Sequence, residues 1–160
     1  MKTFSRSMLF ALLLIGAMPA HAFCGASTTG VNFGPYNPLI GGNIDSTGSV
    51  TIMCDGLFVD ERYTIGLSAG LWGSVSVRQM ANVSNGLSSE RIPYRLYKPN
   101  GNNACSYSSN WGLNGNDTVR GRLRGFFQVT RSYNICGRAT GGLDVAVGMY
   151  TDTVTVEVNF

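Results

Sequence analysis

Along most of this chain apolar and polar residues alternate, and the alternation repeats at every second position. In Ser49–Cys54, Val50, Ile52 and Cys54 point one way, with Thr51 and Met53 opposite. Tyr63–Ala69 places Tyr63, Ile65, Leu67 and Ala69 against Thr64, Gly66 and Ser68. In Arg91–Tyr97 the apolar face is Ile92, Tyr94 and Leu96, and Pro93 marks an edge or a bulge. Val154, Val156, Val158 and Phe160 alternate with Thr153, Thr155, Glu157 and Asn159 in Thr151–Phe160. A period of two belongs to half-buried strands, and runs at helical spacing are missing.

Further strands are predicted at Val31–Phe33, around Val75–Met80 and in Val119–Arg131. Turn signals separate the pieces: Pro99-Asn100-Gly101, Asn114-Gly115 and Gly141-Gly142. Short strands at this spacing predict a β-sandwich without linker, repeat or second domain. About six main segments are read before Phe160, one fewer than a seven-strand immunoglobulin-like sandwich needs. The strongest of them is the terminal one, so the pattern leaves its flank without a following strand.

The first residues read differently. Lys2 and Arg6 precede an apolar run from Met8 to Ala17, and Ala20-His21-Ala22 is a cleavage signature. Residues 1–22 are therefore read as a secretory signal peptide, and residues 23–160 as the domain. Phe23 is too bulky to sit before a lipidated Cys24. No later stretch approaches the roughly 20 apolar residues of a spanning helix. Removal of Lys2 and Arg6 leaves 10 basic against 9 acidic residues, too balanced for a global attraction to nucleic acid. Cys24, Cys54, Cys105 and Cys136 form an even set in an exported chain and read as two disulfides. Of three connectivities, Cys24–Cys54 with Cys105–Cys136 is favoured, each closing a loop of about 31 residues that stabilises by roughly 3.5 kcal/mol. On the alternation, the first bridge is predicted in the core and the second nearer the surface.

The only histidine, His21, leaves with the signal. Without it, Ser-His and Cys-His nucleophile pairs and the common zinc sites are excluded. The carboxylates are scattered singly apart from Asp60-Glu61, and no phosphate loop joins a strand to a helix. The chain is read as a protein that is not an enzyme, with no cofactor and no metal. Arg120, Arg122 and Arg124 form a basic stripe that suits an anionic partner, or that guards an edge strand against pairing. Trp72 and Trp111 lie among Gly, Ser and Asn, as in sugar-binding loops, although core aromatics share that setting.

Several pieces, in order, resemble the spore coat protein U domain family, which includes subunits of archaic chaperone–usher pili. They are Cys24, VNFGPYNPL at Val31–Leu39, DSTGSVTIMC at Asp45–Cys54 and YTIGLSAG at Tyr63–Gly70. RQM at Arg78–Met80, IPYRLY at Ile92–Tyr97, ICGR at Ile135–Arg138 and GMYTDTVTVEVNF at Gly148–Phe160 complete the series. The resemblance implies an all-β, incomplete immunoglobulin-like sandwich of about six to seven strands, the last missing or donated in trans. It implies a periplasmic chaperone, an outer-membrane usher and neighbouring subunits as partners, and a destination in a pilus or coat at the cell surface. Val154, Val156, Val158 and Phe160 would border the acceptor groove; left uncovered, they forgo at most roughly 6–12 kcal/mol of burial. Only Phe23 precedes Cys24 once the signal is removed, so the chain is expected to accept a strand and not to donate one, as a cap or tip would. The alternative expectations are a stand-alone secreted coat or matrix protein and a small glycan-binding lectin.

Overall fold

The computed structural model describes residues 22–39, 41–84 and 89–160; the signal-peptide reading of residues 1–22 lies almost wholly outside them. The chain is all-β, and among the described residues its one helical turn is a 3₁₀ turn at Gly115–Asp117. Strands run in the order β1 (Phe23–Thr29), β2 (Asn43–Leu67), β3 (Arg78–Asn82), β4 (Arg91–Pro99) and β5 (Cys105–Asn110). β6 (Val119–Thr140), β7 (Tyr150–Thr151) and β8 (Val156–Asn159) follow. The sheet has the order β1-β2-β6-β4-β3-β7, with β5 added beside β4 and β8 beside β2.

Its spine is the antiparallel pair β2–β6, in register from Asn43↔Thr140 to Ile65↔Val119. The segments Ser49–Cys54 and Tyr63–Ala69, predicted as two strands, belong to this one 25-residue strand, which ends at Leu67, two residues short of the second prediction. A bulge between Gly56 and Val59 sets Leu57 and Phe58 of β2 against Phe126 alone on β6. One extra residue reverses the parity of everything after it. Even-numbered Val50, Ile52 and Cys54 face the core before the bulge, and odd-numbered Val59, Tyr63, Ile65 and Leu67 face it afterwards.

The ribbon curls back on itself. Tyr63 is paired with Gly121 and Tyr133 with Val50, positions far apart along the ribbon. Laid straight, the 13 residue steps from Val50 to Tyr63 would span roughly 40 Å. Their hydroxyls nevertheless lie 2.8 Å apart, with ring centroids at 6.3 Å. Gly121 lies beneath this contact, where a Cβ would run into both tyrosine hydroxyl groups. The concave face holds the core: Val50, Ile52, Ile65, Leu67, Ile92 and Leu96, with Trp111 fully buried among them.

Both disulfides join the favoured partners, Cys24–Cys54 and Cys105–Cys136. Their ordering by burial differs from the expectation, since each bridge has one fully buried cysteine (Cys54, Cys136) and one half-buried. The reason is β5, which covers the outer face of β4 and β6. Tyr97, which alternation places on the face opposite Ile92, Tyr94 and Leu96, is thereby buried against Tyr107 at 5.6 Å between centroids. Pro93 lies one residue beyond the last partner of β4 on β6, where β3 alone runs beside it.

Two predicted strands are not continuous strands. Val31–Phe33 is extended but unpaired, with backbone groups met by side chains: Ser46 Oγ donates to Asn32 O at 2.5 Å, and Gly34 N to Asn32 Oδ1 at 2.9 Å. Thr151–Phe160 is split. β7 pairs with β3, β8 pairs with β2, and Asp152–Thr155 between them carries the chain from one half of the curl to the other.

Candidate functional site

Among the described residues neither β1 nor β8 has a strand on its second side, because each pairs only with β2. Between them the curl stays open as a groove of about 790 Å³. One wall is Thr28–Tyr36 and the other is formed from Gly148–Val154 with Val156. Ile44, Leu67, Met80, Ile92, Leu96 and Ile135 contribute to its floor. An edge with unpaired N–H and C=O groups above an apolar floor is the arrangement that takes up an extended strand.

Asp152 is the single charged residue in the lining, and its carboxylate is fully engaged. Tyr94 Oη donates to Oδ2 at 2.6 Å, while Leu71 N and Thr153 N donate to Oδ1, each at 2.8 Å. These bonds turn the chain out of β7. Thr155 N then donates to Ser68 Oγ at 2.9 Å and Ser68 N to Thr155 O at 2.9 Å, which starts the approach to β8. Gly70 sits against the same carboxylate at φ +81°, where a Cβ would overlap the oxygens. Burial, and then the bond to Asp152, push the Tyr94 phenol well above its ordinary range, so it stays a protonated donor.

Arg78 holds the floor from beneath. It is fully buried, and its guanidinium donates to four carbonyls: Ser68 O at 2.8 Å, Val75 O and Leu67 O at 3.1 Å, and Trp111 O at 2.7 Å. Burial lowers its pKa from the ordinary value. Neither Arg78 nor Asp152 stood out in the sequence beyond membership of a motif. A lone arginine within the strand predicted around Val75–Met80 was the available signal.

Of the residues assigned to the groove, Val154 and Val156 line it and are half-buried. Val158 packs on the core opposite Ile65 but does not line the groove. Phe160 lies beyond it, 52% exposed, with its ring 6.4 Å from that of Tyr63. The burial still to be gained along this strand is therefore well below the full exposure of four side chains.

The opposite wall was not foreseen. Val31, Phe33 and Tyr36 lie half-buried against the core. Phe33 meets Tyr94 edge-on at 6.0 Å, and Tyr36 reaches across to Tyr150 at 6.4 Å. Leu143 N donates to Tyr36 Oη at 2.7 Å. Gly137 on β6 leaves the room, since a Cβ there would collide with Val31 and Phe33.

The weaker candidates do not gather into one place. Trp111 is buried, and its Nε1 donates to Ile65 O at 3.0 Å, so it presents no ring to a sugar. Trp72 is 39% exposed, with the Arg91 guanidinium 4.3 Å above its ring. Arg120, Arg122 and Arg124 do share an exposed stretch of β6. Arg120 donates to Gly115 O at 3.2 Å and Arg122 forms a bidentate pair with Asp60.

The site is thus an apolar cleft in an open, curled β-sheet, beside the ends of two strands that each pair on one side only. The chain belongs to the Spore Coat Protein U domain family, whose model matches residues 10–157. A search of curated proteins finds no match. Among solved structures, a similar chain comes from the complex of CsuC with CsuE, a chaperone–tip adhesion subunit pre-assembly complex of the archaic chaperone–usher Csu pili of Acinetobacter baumannii. The two share 23% identity at a TM-score of 0.56, over 88% of this chain and 40% of that one. At that identity the likeness concerns the fold.

Proposed function

We propose that this chain is a structural, non-enzymatic subunit of a chaperone–usher surface assembly, and that it accepts a donor β-strand in the groove between Thr28–Tyr36 and Gly148–Val156. The observation carrying this reading is the largely apolar groove, with Asp152 its single charged lining residue, that opens beside the ends of β1 and β8, each of which pairs only with β2 among the described residues. An inserted strand would gain apolar burial and a ladder of backbone hydrogen bonds together. On this reading the partners are a periplasmic chaperone, an outer-membrane usher and sibling subunits, and the chain passes through the periplasm to the cell surface. The position is that of a cap or tip. In support, Phe23–Thr29 is paired with β2 along its whole length and tied through Cys24 to Cys54, so it is not free to be donated.

The test is co-purification of a cognate chaperone with variants of the terminal segment. Val156→Asp places a charge in the groove and should abolish capture, because an unpaired buried charge costs several kcal/mol. Thr155→Asp, whose side chain is exposed, should capture as well as the unmodified chain. Equal capture by all three proteins would overturn the reading.

A second reading is a self-sufficient coat or matrix protein, favoured by one observation: Val31, Phe33 and Tyr36 of the chain itself cover part of the core. A soluble, partner-free monomer with a high melting temperature would select it over the first.

A further inference from the structure

The bend of the β2–β6 ribbon carries a second surface, and none of its residues lines the groove. Leu57 is 69% exposed, Phe58 47%, Phe126 67% and Phe127 70%. Phe58 and Phe126 meet edge-on at 5.4 Å, and no described residue covers them. Phe23, 79% exposed, stands opposite Asp55 just before the bulge and extends the patch. Phe127 also has φ +65°, a left-handed conformation that a bulky side chain rarely takes. Backbone strain and solvent-exposed aromatics thus coincide at one bulge, although each costs stability by itself.

The surroundings of the patch are basic. Between residues 55–62 and 120–131 lie Arg62, Arg120, Arg122, Arg124 and Arg131, all exposed. The acids of the same stretches, Asp55, Asp60 and Glu61, are half-buried. Asp60 is held by Arg122, and Gln128 donates to Asp55 at 2.9 Å. Five arginines against three carboxylates leave these stretches with a net charge of +2.

We propose that this aromatic bend with its arginine surround docks on an anionic phospholipid bilayer. The phenylalanines enter the boundary between headgroups and acyl chains, and the guanidinium groups take the phosphates. A second copy fits less well, because a two-fold contact through this patch brings the arginines of both copies together.

The experiment is flotation of the full exported chain, its fold checked by circular dichroism, with two kinds of vesicle. One is phosphatidylcholine alone; the other is phosphatidylcholine with phosphatidylglycerol. Binding is expected only to the second, and it should fall steeply with added salt. Phe126→Ser should weaken partition roughly tenfold or more, and Arg124→Ser about fivefold. Phe127→Asn separates docking from folding, since asparagine tolerates the left-handed region. It should lose binding without lowering the melting temperature, whereas a structural phenylalanine would lower it. Equal binding to neutral vesicles, absence of binding, or a dimer that the same variants dissolve would each overturn the proposal.

Discussion

Arg78 forms no salt bridge among the described residues; Asp152 acts on it only at longer range, and four carbonyl oxygens hold its guanidinium. Because they come from Leu67, Ser68, Val75 and Trp111, one side chain ties the end of β2 to two loops. Arg78→Met fills similar volume but leaves buried acceptors unpartnered. A loss of about 3 kcal/mol or more is expected by urea denaturation. Trp111→Ala should cost about 3–5 kcal/mol through the cavity it leaves, and retention of wild-type stability would show the ring to be misplaced. Asp45 carries a pH signature. The Arg138 guanidinium, 2.6 Å away, holds the Asp45 carboxyl below its ordinary 3.8. A carboxyl depressed in the folded state contributes stability above its ordinary value and loses it as pH falls through the folded value. Asp45→Asn should therefore flatten the acid limb of stability below about pH 4, and an unchanged acid limb would assign that loss elsewhere.

At the scale of elements, the wall Val31–Tyr36 is held by side chains alone and should be the first part to leave. Gly137→Val tests this, because valine suits a strand but occupies the space of Val31 and Phe33. The β-sheet signal in circular dichroism should persist while chymotrypsin cuts after Phe33 or Tyr36; protection equal to the parent would contradict it. This wall also marks where the sequence was hard to read. Alternation revealed which side chains of β2, and of β4 as far as Leu96, face inward, because period two follows from backbone geometry without knowledge of the partner strand. It did not reveal that β2 is one strand, since a bulge reverses parity and mimics a turn. Nor did it reveal the break at Asp152, since alternation continues through Val154 and Val156 while the bonds from Tyr94 and Leu71 redirect the backbone. The groove was half legible: Val154 and Val156 follow from terminal-strand periodicity. Phe33 and Tyr36 pack from an unpaired segment, and no period reports that.

For the whole molecule, the curl depends on contacts between parts of one ribbon, and the hydroxyl pair of Tyr63 and Tyr133 is the most direct of them. Burial, followed by the bond to Tyr133, pushes the Tyr63 phenol far above its ordinary value of 10.0; Tyr94 at the groove is raised in the same direction. A phenol whose folded-state pKa is raised contributes stability that is fully present below its unfolded value. That stability is lost as pH rises, since the unfolded chain releases the proton first. The molecule should therefore be flat in stability through neutral pH and weaken progressively above about pH 10. In an ultraviolet titration, Tyr63 and Tyr94 should ionise only as the fold opens. Tyr63→Phe should remove part of the alkaline loss while lowering stability at neutral pH, because the Tyr133 hydroxyl loses its partner. Should the variant and parent lose melting temperature in parallel from neutral to alkaline pH, the contact between Tyr63 and Tyr133 would not be what keeps the two ends of the ribbon together.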